Sequence, residues 1–283
     1  MRKFFLLFQL IFIIGLTGCN KENNEDLLPD IPKDETVEEE KPTLKDEIET
    51  IDLNNKIFLN VLSSNKMIIP LKIYDINIEW DYDNEYLEKT DNQLKPIKNG
   101  KTKLIANIDG QALQFHIEIN NLSYTKTVQY GLNFHYMFIS DSKKMSGKLN
   151  AKQIVLHNTA NSAPAINEIK WLANKDNTSS TSFHYAVDDT GVYQAIPTNI
   201  IAHHAGVKAI NYQAIGVEIA KSMIKDNTVK DEAIKKGAQL ISLLMSYYQI
   251  EISDVITHYE ASGKHCPHDI FDRFNIDKFY DML

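Results

Sequence analysis

Alternating apolar and polar residues dominate the chain between residues 52 and 122. The apolar positions form three runs with a period of two: Ile76, Ile78 and Trp80; Leu104, Ala106 and Ile108; and Leu113, Phe115, Ile117 and Ile119. This is the period of a half-buried β-strand. The dipeptide Asp109-Gly110 lies between the last two runs and is typical of a hairpin turn. No helical stripe interrupts the pattern, so we predict that residues 52–122 form a small all-β module.

Strand and helix periods are mixed in residues 123–283. The apolar runs predict strands at 153–156, 215–220 and 255–257 and an amphipathic helix at 229–248. Another helix is predicted to begin near Pro164, at a position that the first turn tolerates, and to bury Ile166, Ile169 and Trp171 on one face. The order of strands and helices indicates an α/β fold, in which a mixed β-sheet is flanked by helices.

Residues 1–18 have the layout of an export signal. A basic start, Met1-Arg2-Lys3, precedes an almost unbroken apolar run that ends at Leu16, and small residues then lead to Cys19. The run has the length of a signal peptide and is too short to span a bilayer comfortably. Small residues followed by cysteine resemble the bacterial lipoprotein cleavage site, which implies that Cys19 is lipidated. The alternative is an uncleaved anchor or a chance cysteine. In either case we expect the chain to face outside the cytoplasm, attached to the outer membrane or the cell surface.

The formal net charge of −8 is concentrated behind this signal. Residues 20–50 carry twelve acidic residues and four lysines, with three prolines and no aromatic residue. Such a segment cannot bury enough apolar surface to order itself, so we predict that residues 19–51 are a disordered, lipid-anchored tether. The rest of the chain is close to neutral and has no basic patch or basic helix. This composition argues against nucleic acid as a partner.

The strongest chemical signal is a short run near the C-terminus. His258, Lys264 and Cys266 lie within nine residues of one another, and His157 ends an apolar run earlier in the chain. Two histidines and a thiolate make a three-ligand zinc site with one open position, as catalytic zinc requires. Lys264 would place a positive charge where an oxyanion could develop. With Cys19 lipidated, Cys266 has no disulfide partner, and it is either a metal ligand or an inert buried thiol.

Five stretches point to one family. They are Ile154-Val155-Leu156-His157-Asn158-Thr159-Ala160, Ser182-Phe183-His184-Tyr185, His203-His204-Ala205-Gly206, Ile215-Gly216-Val217-Glu218-Ile219 and the run from His258 to His268. Together they resemble the zinc-dependent N-acetylmuramoyl-L-alanine amidases of the phage-lysozyme and peptidoglycan-recognition type. Each stretch alone is a weak signal, whereas the ordered set is specific and covers nearly all of residues 150–270. The resemblance implies that residues 123–283 are a zinc amidase domain.

The resemblance also implies a role for individual residues. His157, His258 and Cys266 match the ligands of Zn²⁺, Lys264 matches the lysine that steadies the tetrahedral intermediate, and Glu218 matches the general base. The apolar neighbours of Glu218 place it on the opposite face of its strand, where it points to solvent or into a cleft. The family resemblance favours the cleft.

One position departs from the family. Several members have a catalytic tyrosine where this chain has Phe183, and a phenyl ring cannot move a proton. The acid–base chemistry would therefore depend on Glu218, unless Tyr185 or a histidine takes part.

Four further residues are candidates for binding substrate: Asn158, His184, His203 and His204. The sequence leaves open whether His184 is structural or lines the cleft. Of the neighbours His203 and His204, one is expected to contact substrate and the other to be exposed or in the core. His265 and His268 are not expected to be ligands, because the fourth metal position must stay open.

The function implied by the resemblance is hydrolysis of the amide bond between N-acetylmuramic acid and L-alanine in peptidoglycan. The alternatives are a peptidoglycan-binding receptor without catalysis and an amidase that acts on 1,6-anhydro muropeptides. The all-β module loosely resembles bacterial Ig-like domains and would be a spacer or a wall-binding module. We expect the protein to be a monomer.

Overall fold

The structure is a computed structural model that describes residues 53, 55–222 and 229–283. The predicted signal peptide (1–18), the predicted lipidation site Cys19 and the predicted tether (19–51) lie outside the described residues. Among the helices that are described, none is both long enough and apolar enough to cross a membrane.

Strands are the most frequent elements of the described chain. In order they are β1 (Asn60–Ser63), β2 (Lys66–Ile68), β3 (Lys72–Ile73), β4 (Ile76–Asn77), β5 (Glu79–Tyr82), β6 (Leu87–Thr90), β7 (Gln93–Pro96), β8 (Gly100–Ile108), β9 (Gln111–Asn120), β10 (Ser123–Gln129), β11 (Leu132–Tyr136), β12 (Met145–Lys148), β13 (Gln153–Asn158), β14 (Tyr185–Asp188), β15 (Gly191–Gln194), β16 (Ile200–Ala202), β17 (Ala214–Ile219) and β18 (Val255–Thr257). The described helices are α1 (Ala165–Ala173), α2 (Lys208–Asn211), α3 (Asp231–Tyr248), α4 (His258–Ser262) and α5 (Ile276–Tyr280), with a 3₁₀ turn at Ile252–Asp254 and a π-helical turn at Ile270–Phe274.

Ten of these strands form one sheet in the order β18-β13-β17-β14-β15-β11-β10-β9-β8-β5. At one end, β13 pairs in parallel with β17 and β18, and β17 pairs in parallel with β14. From β11 to β5 the neighbours are antiparallel. A mixed sheet is what the alternation of strands and helices predicted, and the α/β class is confirmed.

Helices cover both faces of the sheet. Tyr185 and Val187 of β14 belong to the same apolar cluster as the buried face of α3, whereas Ala186 between them packs with α1. Successive residues of a strand point to opposite faces, so α1 and α3 lie on opposite sides of β14. Close packing of α3 depends on Gly237, where a Cβ would lie 2.7 Å from Ile219 of β17.

The segment before residue 122 contains strands and no helix in its described part, as the alternation predicted. Asp109 and Gly110 form the β8–β9 turn with positive φ angles of 42° and 83°, as a two-residue hairpin requires. The run from Ile76 to Trp80 is divided between β4, which pairs with β3, and β5, which pairs with β8.

Strand pairing continues across the predicted border between module and amidase domain. Ser123 of β10 pairs with Asn120 of β9, so the border after residue 122 lies in a hairpin turn rather than in a linker. The resemblance of residues 52–122 to an Ig-like domain and the division into domains stay predictions.

Residues 57–60 lie against distant parts of the chain. The buried side chain of Gln129 accepts a hydrogen bond from Leu59 N (2.9 Å) and donates one to Leu59 O (3.2 Å). Asn60 donates to Tyr248 Oη at the end of α3 (2.9 Å) and accepts from Thr198 (3.1 Å). These contacts join the start of the described chain to its C-terminal half.

Candidate metal centre

Three neighbouring parallel strands end at the same edge of the sheet, and each contributes to one cluster. His157 is the fifth residue of β13, Glu218 is its register partner on β17, and His258 directly follows β18. Loops at the carboxyl ends of parallel strands commonly form ligand sites, because side chains from separate strands meet there. The cluster therefore follows from the topology.

Thr257 fixes the start of the helix that carries His258. Its hydroxyl accepts a hydrogen bond from Glu260 N (3.1 Å), while the Glu260 carboxylate accepts one from Thr257 N (2.8 Å). This reciprocal capping box satisfies two backbone donors and holds the first turn of α4. Tyr259 N donates to Cys266 O (2.9 Å), which brings the following loop back against the same turn.

His157, His258 and Cys266 converge at this edge. One ligand atom from each lies within 4.8 Å of the others. The Nδ1 atoms of the two histidines are 3.0 Å apart, and Cys266 Sγ is 4.0 Å from His157 Nδ1. A tetrahedral zinc site has about 3.3 Å between two nitrogens and about 3.6 Å between nitrogen and sulfur, from the usual bond lengths. These three residues could therefore hold a metal ion.

Protonation in this cluster suits metal binding at the nitrogens. Burial, together with the nearby His204, His258 and Lys264, lowers the pKa of His157 well below its usual value. Burial and Lys264 also lower the pKa of His258. Both imidazoles are thus neutral at neutral pH and have a lone pair for a cation. Burial raises the pKa of the Cys266 thiol to about 12, so a metal must displace its proton.

Glu218 lies beside the cluster, with Oε1 4.0 Å from His157 Nδ1. Burial, followed by the carboxylate of Glu168, raises its pKa to about 8, and Lys264 opposes the rise. The contact between Glu218 and His157 is therefore not an ion pair at neutral pH, because both groups favour their neutral forms. Within the described residues, Oε2 of Glu218 has no hydrogen-bond partner.

A cleft of about 310 Å³ opens from this cluster. Its wall includes the three possible ligands and Glu218, and also Asn158, Glu168, Trp171, Phe183, Lys264 and His268. Lys264 is exposed and lines the cleft. Glu218 thus points into a cleft, as the family resemblance implied.

The remaining predicted residues have different environments. Asn158 lines the cleft, but its amide is engaged with Thr159 O (3.1 Å) and with Asp269 N (3.1 Å). His203 lies at the entrance of an adjoining cavity and pairs with Ser146 Oγ (2.9 Å). Of the two adjacent histidines, His203 is partly exposed and His204 is buried.

His184, a candidate for binding substrate, is buried and bonded to the backbone. The residue is 0% exposed, its Nε2 donates to Ile200 O (2.9 Å), and its Nδ1 accepts from Gly216 N (3.0 Å). Both ring nitrogens are used by the backbone of neighbouring strands. His184 therefore holds β17 in place, which favours the structural alternative that the sequence had left open.

Two residues of α1 differ from expectation. Trp171, predicted to be buried, is 53% exposed and forms part of the cleft wall. The buried face of α1 consists instead of Ala165, Glu168, Ile169 and Leu172. Glu168 was missed at the sequence level, although an acidic residue among the apolar positions of a helix is an unusual signal. Burial raises its pKa, and Oε1 lacks a partner among the described residues.

Comparisons with known proteins agree on this region. Residues 147–269 match the family described as N-acetylmuramoyl-L-alanine amidase. The chain is similar to the amidase CwlA of a Bacillus species, with 42% identity over 135 residues, which is 47% of this chain and 53% of CwlA. It is also similar to XlyB of Bacillus subtilis, with 40% identity over 147 residues, 50% of this chain and 45% of XlyB. The chain thus spans about half the length of these curated relatives.

Among solved structures, the catalytic domain of XlyA is similar to this chain. The identity is 32%, the match covers 53% of this chain and 99% of the XlyA domain, and the TM-score is 0.48. A structure titled PlyL is 34% identical over 52% of this chain and 93% of its own length, with a TM-score of 0.47.

Proposed function

This chain belongs to the N-acetylmuramoyl-L-alanine amidase family through residues 147–269, and from this premise we propose that it hydrolyses the bond between N-acetylmuramic acid and L-alanine in peptidoglycan with the help of zinc. The observation that carries the proposal is the convergence of His157, His258 and Cys266 beside the buried carboxyl of Glu218. Two imidazoles and one thiolate are a donor set that zinc favours, and three protein ligands leave one position open.

Zinc would be held by Nδ1 of His157, Nδ1 of His258 and Sγ of Cys266. When bound, it supplies Lewis acidity, which polarises an amide carbonyl and makes water more acidic. The neutral state of both imidazoles and the burial of all three side chains support this assignment. Cys266 must lose its proton first, and the positive charge of the cation favours that loss.

Glu218 is the residue placed to move protons. A cation bound beside Glu218 would favour its charged form, which takes a proton from the attacking water and passes it to the nitrogen of the leaving L-alanine. A carboxyl whose pKa is raised to about 8 in the metal-free site returns a proton to an amine more readily than an ordinary carboxylate does. Phe183 lies in the same wall of the cleft and has no proton to give, so the acid–base chemistry depends on Glu218.

Lys264 is placed to stabilise negative charge on the former carbonyl oxygen. Its side chain borders the cleft, and its charge is felt at Glu218, His157 and His258. A fixed cation at this place lowers the energy of an oxyanion more than that of a neutral carbonyl. Lys264 therefore acts on the transition state rather than on binding of the intact amide.

The test is mass spectrometry of sacculi incubated with the chain, carrying Cys19→Ser so that it can be purified without detergent. Free stem peptides with an N-terminal L-alanine are the expected product, and they should vanish with Cys266→Ser and with a chelator. Sacculi that bind the protein but stay uncut would contradict the proposal and favour a receptor. Products formed only from 1,6-anhydro muropeptides would instead indicate the recycling substrate.

We further propose that the protein is a monomer anchored by lipid at Cys19 and faces the wall from outside the cytoplasm. The support is the basic start, apolar run and small residues before Cys19, which have the order of a lipoprotein signal. Cells fed a labelled fatty acid should incorporate it into the chain and not into a Cys19→Ala variant. Equal labelling of both chains would refute the lipid anchor.

A further inference from the structure

The ring of His204 lies behind His157, on the side away from the cluster. His204 Nδ1 is 3.2 Å from His157 Nε2, and His204 Nε2 is 3.1 Å from the carbonyl oxygen of Ala214. A carbonyl oxygen only accepts hydrogen bonds, so the His204 proton lies on Nε2 and its Nδ1 is an acceptor. His157 must then donate from Nε2. This leaves the lone pair of His157 on Nδ1, the atom that faces His258 and Cys266.

The second histidine of the cluster is held by the next residue of the same loop. Nε2 of His258 lies on the side of this loop, 3.7 Å from the place of a Cβ at Gly206, and a hydrogen bond to the backbone of Ala205 opposes the fall in the pKa of His258. Since Nδ1 of His258 faces His157 at 3.0 Å, the donor to Ala205 is Nε2, which also lies on the side of Gly206. His258 thus has the same tautomer as His157, with its lone pair on Nδ1. Two lone pairs that face each other at 3.0 Å repel, and a cation between them removes that repulsion.

The loop that makes both contacts is itself fixed. Asn211, the last residue of α2, accepts hydrogen bonds at Oδ1 from His204 N (3.0 Å) and Ala205 N (2.8 Å). On the other side, the His204 ring rests on Gly216 of β17, where a Cβ would lie 2.6 Å from Cγ of the ring. The ring is 5% exposed and has no room to turn.

We propose that His204 and Ala205, clamped by Asn211, are positioning residues that select the tautomer in which both histidine ligands present Nδ1 to the metal. The proposal rests on the proposed function only in taking the metal to be zinc. It reassigns His204, which the sequence suggested as a candidate for binding substrate. Partners that hold a ligating histidine by its second nitrogen typically change metal affinity by about 10- to 100-fold when they are removed.

The first measurement is the tautomer of each histidine in the zinc-free full chain by long-range ¹H–¹⁵N NMR. His157 and His258 are both expected to carry the proton on Nε2. In His204→Phe, His157 should become a mixture of tautomers while His258 keeps the Nε2 proton. A parent protein with the His157 proton on Nδ1 would overturn the proposal without the need for any variant.

The second measurement is the zinc dissociation constant by chelator competition. His204→Phe and Asn211→Leu should weaken zinc binding by about 10- to 100-fold, whereas Asn211→Asp, which keeps the acceptor oxygen, should stay within about threefold. Gly237→Ala is the matched control, because it strains β17 at Ile219 without touching His204. Unchanged zinc affinity in His204→Phe, or equal losses in Asn211→Leu and Gly237→Ala, would overturn the proposal. Both readouts need no substrate, so a protein that binds zinc as expected but cuts no wall would contradict only the proposed function.

Discussion

Histidine side chains are buried at one end of the ten-stranded sheet and exposed towards the other. On β13, at the parallel end, five of six residues are buried, and His157 is 1% exposed among other titratable groups. On β9, at the antiparallel end, burial alternates along the strand, and His116 is exposed beside Gln114. Both histidines belong to one sheet, and their strands are six positions apart in its order.

The difference follows from how each end is covered. Parallel strands with helices on both faces leave only their ends for polar side chains, so the histidines and carboxylates are gathered at one edge. Antiparallel strands with one face in water can place polar residues along their whole length. Titratable side chains are thus concentrated at the strand ends of the parallel part, because the rest of these strands is buried. The same burial shifts their pKa values.

The largest effect should come from Glu218→Gln. The amide keeps the shape of the side chain but cannot accept the proton of water, so kcat should fall by about 10²- to 10⁴-fold. Zinc content, measured by metal analysis, should not change, because Glu218 is not among the three converging ligands.

Glu168→Gln is the matched control for this substitution. It removes a carboxyl from the same cleft and leaves the base in place, so kcat should fall by less than about tenfold. The carboxylate of Glu168 helps to raise the pKa of Glu218, so the acid limb of the rate profile should move to lower pH. A loss as large as that of Glu218→Gln would show that the roles of the two carboxyls are wrongly assigned.

Zinc affinity should depend steeply on pH. Cys266, with a pKa of about 12, is protonated in the metal-free site and must release that proton on binding. Glu218 is also protonated below its pKa of about 8, and a nearby cation favours its charged form. The dissociation constant should therefore decrease as pH rises, by about tenfold per unit above pH 8 and more steeply below it.

The two protons can be separated with a variant. In Glu218→Gln, the slope below pH 8 should drop to about tenfold per unit, since one proton is then released throughout. Chelator competition from pH 6 to 9 measures both slopes. A zinc affinity that is independent of pH in either protein would mean that the Cys266 thiol is not a ligand.

The contact between Leu59 and Gln129 should matter for stability and not for zinc binding. Gln129→Met keeps the volume of the side chain but leaves Leu59 N and Leu59 O without their partners. The free energy of unfolding should fall by about 2–3 kcal/mol, which corresponds to a Tm lower by roughly 5–10 °C. Calorimetry measures the change, and Gln111→Ala on the exposed start of β9 is the neutral control. A changed zinc affinity in Gln129→Met would show that the site depends on this contact.

The smallest effect is expected for His116→Gln. His116 is exposed and contacts Gln114 on its own strand, so the free energy of unfolding should change by less than about 0.5 kcal/mol. Zinc affinity and kcat should stay within about twofold of the parent. A clear loss of wall hydrolysis in this variant would mean that the antiparallel end contacts substrate.

Local patterns were sufficient to predict much of the fold and the core of the site. The strands at β13, β17 and β18 were predictable because each is a short apolar run, and His157, Glu218 and His258 lie at their ends. The β8–β9 hairpin was predictable because Asp109-Gly110 tolerates positive φ. In each case the information lies within a few residues of the feature.

The features that sequence reasoning missed depend on contacts between distant segments. Trp171 and Glu168 exchange their expected places because the face of α1 that is buried is chosen by β14 and β15, not by hydrophobicity alone. His184 and His204 look alike in the sequence, and only the backbone carbonyls around them distinguish their roles. The sequence around residue 122 does not show whether the β9–β10 hairpin lies inside a small module or crosses the predicted border between module and amidase domain.

The contact of Asn60 with Tyr248 cannot form until late in the synthesis of the chain. The two residues are 188 positions apart, and a chain is made from its N-terminus. Asn60 is therefore synthesised long before the end of α3 exists, and at translation rates of about 5–20 residues per second it waits on the order of ten seconds or more for its partner. The four-stranded sheet that begins at Asn60 is therefore made before the residues of α3 that its first strand contacts.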